Sequence, residues 1–181
     1  MLIIPGIEPD VRLHSRVLMQ PLRAPRCGIM LHYDDSSSDA SALEWFRAPR
    51  CTNGYTWLVL DDGRVVELAD PGMRTPHAGP CLMPNANSRL YGIAAATNGS
   101  VRATEQQLNA IARVCSAVSR HHHWVNPVLV GHDEQAIWTA LYTTRRALWG
   151  RVGRKADPTG QRPDGQKIID IGDVRRRMSL T

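Results

Sequence analysis

Phenylalanine occurs once in these 181 residues, at Phe46, and aromatic side chains account for only 6% of the chain. So few rings, with no RNP-like run and no zinc-finger spacing, make nucleic acid an unexpected partner. The formal charge of +5 still favours polyanions in general, whether nucleic acid, anionic lipid or an acidic wall polymer. Four cysteines, Cys27, Cys51, Cys81 and Cys115, are scattered without a CxxC pair. That excludes a cysteine zinc knuckle and gives no disulfide framework, while leaving open whether Cys27 and Cys51 meet. No stretch approaches the roughly 18 apolar residues that a membrane span needs. The opening "MLIIPGIEPDVRLHSRV" is interrupted by Pro5, Glu8 and Asp10, so it does not read as a signal peptide, and synthesis in the cytoplasm is expected. Repeats and low-complexity tracts are missing too.

What remains is ordinary globular material, 43% hydrophobic and 22% charged, with the length of a single domain. Residues 1–26, rich in Pro and Arg, read as an irregular arm, and residues 27–181 as the domain proper. "CGIMLHY" (27–33) is a short apolar run of the buried-strand kind, ending at His32. The Ser- and Asp-rich segment after it predicts a short capped helix burying Leu43 and Phe46. Two β-rich runs flank Asp62-Gly63 within 55–68, which predicts a hairpin. Residues 71–88 are dense in turn formers, and 90–99 read as another strand. Thr104 and Gln107 make a capping box before Leu108, Ile111, Cys115 and Val118, whose spacing predicts an amphipathic helix to about Arg120. "PVLVGH" (127–132) is a strand that again ends in histidine. Residues 134–149 have helical periodicity, and the basic run "RRRM" (175–178) reads as the solvated end of a last helix. Strands interspersed with helices predict an α/β fold with one mixed sheet flanked by helices.

Two histidines, His32 and His132, therefore sit at the C-terminal ends of predicted strands, the edge of an open α/β sheet where ligands bind. Asp157 stands before Pro158, which restricts the backbone ahead of it to extended conformations. Two imidazoles and a carboxylate suit a catalytic zinc, which takes three protein ligands and keeps a fourth position for water. Taken singly, each of these histidines is more often a hydrogen-bonded structural residue than a ligand.

The blocks "GIMLHY", "NGYTWLVLDDGRVVEL", "TPHAG", "YGIAAATNG", "TEQQLNAIARV", "VLVGHDE" and "GRKADP" stand in the order found in type-2 N-acetylmuramoyl-L-alanine amidases. The chain resembles that family from about residue 27 to residue 178. The family includes phage lysins, cell-wall recycling amidases and peptidoglycan recognition proteins. The resemblance implies one zinc ion held by His32, His132 and Asp157. It implies Lys155 and Tyr55 as catalytic groups, and His77 as a residue lining the substrate cleft. Zinc lowers the pKa of bound water from about 15.7 towards roughly 7 and polarises a carbonyl, and a cation at Lys155 would stabilise the oxyanion that develops. The expected substrate is peptidoglycan, cut between the muramic acid lactyl group and L-alanine. With no signal peptide, the expected setting is an endolysin that reaches the wall after phage-mediated release. The rival readings are a non-catalytic recognition domain and a cytoplasmic amidase acting on soluble anhydromuropeptides.

Two departures from the family pattern qualify the resemblance. Recycling amidases carry a glutamate on the strand matching "YGIAAATNG", where this chain has Ala94, Ala95 and Ala96. The stretch between His132 and Lys155 is longer than the family's usual loop; its periodicity reads as an inserted helix beside the cleft, or equally as packing by Trp138 and Trp149. "HHH" at 121–123 follows a helix C-terminus, where histidine complements the dipole. Asp61 and Asp62 read as turn residues and Asp34 and Asp35 as loop residues; Glu67 and Glu134 could lie near the cleft, but read no better than solvated surface glutamates.

Overall fold

Gly63 takes φ +84° at the turn where Asp62 accepts hydrogen bonds from the Arg64 N–H and side chain, and the predicted hairpin forms around it. In the computed structural model, residues 1–13, 19–52, 54–79, 83–98, 100–132 and 167–179 are described. Their elements are β1 (Val11–Arg12), β2 (Gly28–Tyr33), α1 (Asp39–Arg47), β3 (Trp57–Val59), β4 (Val65–Glu67), α2 (Ala86–Arg89), β5 (Leu90–Ala95), α3 (Glu105–His121), β6 (Val128–Gly131) and α4 (Ile171–Met178). The strands form one six-stranded sheet in the order β1-β4-β3-β5-β2-β6. Every neighbouring pair is parallel except the β3–β4 hairpin.

The alternation of side chains along each strand divides the core in two. Ile29 and Leu31 of β2, Trp57 and Val59 of β3, and Tyr91 and Ile93 of β5 pack with α3 and α4. The intervening residues Leu58, Val66 and Ala94 meet Ala42 and Phe46 of α1 on the other face. Sequence periodicity placed Leu43 with Phe46 in the core. The structure instead buries Ala42 beside Phe46 and leaves Leu43 half-buried, because the i,i+4 pair Ala42/Phe46 is the one turned to the sheet. In the described part of the arm, β1 adds to the sheet edge beside β4, Gln20 bridges Arg74, and Ile4 and Ile7 join the α3 side of the core. Glu67, expected on the surface, is buried at the end of β4 and pairs with Arg12 at 3.4 Å. No disulfide joins Cys27 to Cys51; Cys115 is buried in the core, as expected, and burial pushes its thiol up. Among the described residues, no helix is long and apolar enough to cross a membrane.

Gln107 joins local and tertiary structure. Its side chain accepts the Thr104 N–H while Thr104 Oγ1 accepts the Gln107 N–H, closing the capping box. The same amide donates to the carbonyls of Val59 and Ala96, each at 3.1 Å, which ties α3 to the ends of two strands. Gln107→Leu would take this donor from the buried Ala96 carbonyl, leave Val59 only its bond from the Ala96 N–H, and open the cap. We expect a loss of about 2–3 kcal/mol, readable in urea denaturation as a lower midpoint at unchanged slope.

Candidate functional site

Parallel pairing brings the two strand-end histidines together. β2 and β6 run in register with Leu31 opposite Gly131, so the next residues, His32 and His132, stand side by side and share a face. The His132 N–H continues the ladder to the Leu31 carbonyl at 3.3 Å. Their imidazole centroids lie 4.9 Å apart. That face is the one opposite α3, since Ile29 and Leu31 point the other way. His32 is fully buried. Around it, the Tyr55 ring stands 4.8 Å away and the His77 ring meets it edge-on at 5.3 Å. The Tyr55 hydroxyl donates to the Tyr33 carbonyl at 3.3 Å.

His77 is held from three sides. Its Nε2 lies 3.1 Å from the Leu90 carbonyl, and its Nδ1 lies 3.2 Å from His32 Nε2. Asn87 Oδ1 accepts the backbone N–H groups of both His77, at 2.9 Å, and Ala78, at 2.7 Å. The Ala78 carbonyl in turn stands 3.0 Å from His132 Nε2. Burial holds the His77 imidazole well below its usual basicity, and the neighbouring His32, Arg26 and His132 reinforce this against the Leu90 hydrogen bond. Gly92 makes room for the ring, because a Cβ there would come within 2.8 Å of His77 Cγ. Arg26 shares the Leu90 carbonyl with His77 and also donates to Met73 at 2.6 Å. Its guanidinium lies 4.1 Å over the Tyr91 ring.

Beside this cluster a cavity of about 240 Å³ is lined by Asp34, Trp45, Phe46, Gly54, Tyr55, Pro76 and His77. Asp34 was read from sequence as a loop residue, yet it lies on the cavity wall two residues beyond His32. Its carboxylate accepts from Ser36 N–H, Ser36 Oγ and Thr97 N–H. Burial pushes its carboxyl above the usual range against those bonds. Period-two alternation from His32 would have pointed to Asp34, whereas nothing local marks Trp45 or Asn87 as neighbours of the site. The histidine run stays apart from this cluster: His121 ends α3, and His122 bonds the Tyr91 hydroxyl at 2.9 Å and stacks on Trp124.

Four of the sequence-predicted residues, His32, Tyr55, His77 and His132, thus surround one point at the C-terminal edge of the sheet. Lys155 and Asp157 lie outside the described residues, as do Glu134 and the helix read over 134–149. Ala94 is in register with His32 on β5, so that position carries no carboxylate. Among the described residues, no group of three or more His, Cys, Asp or Glu side chains could by itself hold a metal ion. Even so, His32 and His132 suit one divalent ion: zinc binds imidazole nitrogens at about 2.0–2.1 Å, a span compatible with the 4.9 Å between their ring centroids. The expected carboxylate from Asp157 would complete a set of three.

Residues 23–160 match the protein family described as N-acetylmuramoyl-L-alanine amidase. No curated protein sequence matches the chain. Among solved structures it is similar to a selenomethionine derivative of AmpD, at 18% identity and TM-score 0.66 over 98% of this chain and 99% of that one. It is similar to the Ph2119 endolysin of a Thermus scotoductus bacteriophage, at 17% identity and TM-score 0.59 over 93% of this chain and 97% of that one. The N-acetylmuramoyl-L-alanine amidase LysC from Clostridium intestinale URNW gives 14% identity and TM-score 0.60 over 96% and 100%. At these identities the likeness is one of fold, and the single mixed sheet flanked by helices expected from sequence is that fold.

Proposed function

Because the chain belongs to the N-acetylmuramoyl-L-alanine amidase family, matched over residues 23–160, we propose that it is a zinc-dependent peptidoglycan hydrolase. It would cut the amide joining the muramic acid lactyl group to the first L-alanine of the stem peptide. The observation that carries this reading is the pair of imidazoles at register-matched ends of adjacent parallel strands, beside a polar cavity. His32, His132 and Asp157 would hold one zinc ion. That ion supplies an acidified nucleophile and Lewis acidity at neutral pH.

The remaining chemistry falls to side chains. Lys155 would face the substrate carbonyl and stabilise its developing negative charge, aimed before the charge forms. Tyr55 directs its hydroxyl proton to the Tyr33 carbonyl, so towards the cavity its oxygen acts as an acceptor that orients an O–H or N–H group. Trp45 and Phe46 would give the sugar or stem peptide an apolar wall. Alanines where recycling amidases carry a glutamate support action on the intact wall, in the manner of an endolysin, over action on soluble anhydromuropeptides.

The test pairs metal analysis with mass spectrometry of digested peptidoglycan. The expected result is one zinc per chain, release of stem peptides beginning with L-alanine, and faster turnover on sacculi than on soluble anhydromuropeptides. Zinc and wall binding without released peptide would make the domain a recognition module, and faster turnover on soluble muropeptides would make it a recycling enzyme. Two substitutions separate the roles. Lys155→Ala should keep zinc while turnover falls about 10²–10³-fold. Tyr55→Phe should keep zinc and lose about tenfold, the worth of one hydrogen bond.

A further inference from the structure

Carbonyl oxygens only accept hydrogen bonds, and that fixes the protons on three histidines. His77 Nε2 faces the Leu90 carbonyl, so it carries a hydrogen. His132 Nε2 faces the Ala78 carbonyl, so it carries one too. At the 3.2 Å contact between His77 Nδ1 and His32 Nε2, one nitrogen must donate and the other accept. A hydrogen on His77 Nδ1 would make that ring a cation. His77 is buried against the His32 imidazole and shares the Leu90 carbonyl with Arg26, and burying an unpaired cation is costly. His77 Nδ1 is therefore the acceptor, and His32 Nε2 carries the hydrogen. In their neutral forms, both His32 and His132 then have the unprotonated nitrogen at Nδ1.

We propose that the short segment His77-Ala78 is a tautomer clamp: the His77 ring and the Ala78 carbonyl fix His32 and His132 as Nε2–H imidazoles, so that both offer Nδ1 to zinc. Asn87 is the clamp's anchor, since one side-chain oxygen holds the N–H groups of both clamp residues. This gives His77 a positioning role behind the metal site in addition to its place on the cavity wall. Gly92 belongs to the same device, because any side chain there would displace the His77 ring. The clamp rests on the zinc reading above for its purpose, but its proton arrangement exists without metal. Ligands held this way bind metal more tightly, and removing such a partner typically costs about 10–100-fold in affinity.

The test uses the full chain, stripped of metal and labelled with ¹⁵N, and reads imidazole tautomers by ¹⁵N–¹H correlation. His32 and His132 should both appear as Nε2–H tautomers. Zinc affinity, measured by competition with a chromophoric chelator, should fall about 10–100-fold in His77→Leu. His77→Gln should recover most of it, because an amide can donate to Leu90 and accept from His32. Asn87→Ala should weaken zinc binding without touching either ligand. An Nδ1–H tautomer at His32 or His132 in the metal-free wild type would overturn the proposal, a reading that holds even if no variant folds. Unchanged zinc affinity in a folded His77→Leu would overturn it equally. Wild-type protein with the stated tautomers but no zinc uptake would leave the clamp standing and sink the zinc reading instead.

Discussion

His132→Ala is expected to leave the chain folded while removing both its zinc and its hydrolytic activity. The imidazole lies at the rim of the site, half-buried, just past the last residue of β6. Its side chain hydrogen-bonds the Ala78 carbonyl and meets the His32 ring. Losing one such bond costs about 1 kcal/mol, or roughly 2–4 °C in Tm for a chain of this size. The loss to the metal site is far greater, because one of three proposed ligands goes and the remaining pair cannot fix a tetrahedral ion. Zinc content should fall well below one per chain, and stem-peptide release should drop to background. Metal-free wild type should be equally inactive and should recover on adding zinc, whereas the variant should not. A His132→Ala protein that still carries zinc and digests sacculi would remove His132 from the site.

This separation of stability from function follows from how the site is built, and it also explains which parts of it could be read from sequence. The hairpin at Asp62-Gly63, the Thr104/Gln107 capping box and the helix behind it were legible because neighbouring residues encode them. The histidines at the ends of β2 and β6 were legible as strand ends. Their meeting depends on the β2–β6 pairing, which no local pattern specifies. The rotation of α1 that buries Ala42 in place of Leu43 is likewise a tertiary choice between two apolar neighbours. Asn87, at the start of β5's short leading helix, touches His77 only because the chain folds back across ten residues. Glu67 looked solvent-facing until Arg12 of the arm reached it. The resemblance in block order supplied His77 as a site residue but not its partners, which come from donor and acceptor geometry. Lys155 and Asp157 rest on that resemblance and on the expected chemistry.

Gly28→Ala should be the most destabilising single-methyl change in the sheet, and it should damage the metal site from a distance. Gly28 opens β2 opposite Val128. A Cβ at that position would collide with the Val128 carbonyl and lie 2.6 Å from the Val128 Cβ. Backbone of a paired strand cannot swing aside as a side-chain tip can, so β6 must shift or unpair. Overpacking of this kind costs about 3 kcal/mol or more, which for a chain of this length lowers Tm by roughly 6–12 °C. Because β6 carries His132 four residues further on, the same shift moves one imidazole away from its partner on β2. Zinc affinity should therefore fall along with Tm, although neither Gly28 nor Val128 is a proposed ligand. Removing the Val128 side chain as well, in Gly28→Ala/Val128→Gly, should not restore either quantity, because the clash with the carbonyl remains. Restoration by that second change would mean that side-chain crowding, and not the spacing of the two strands, sets how far apart the histidines stand.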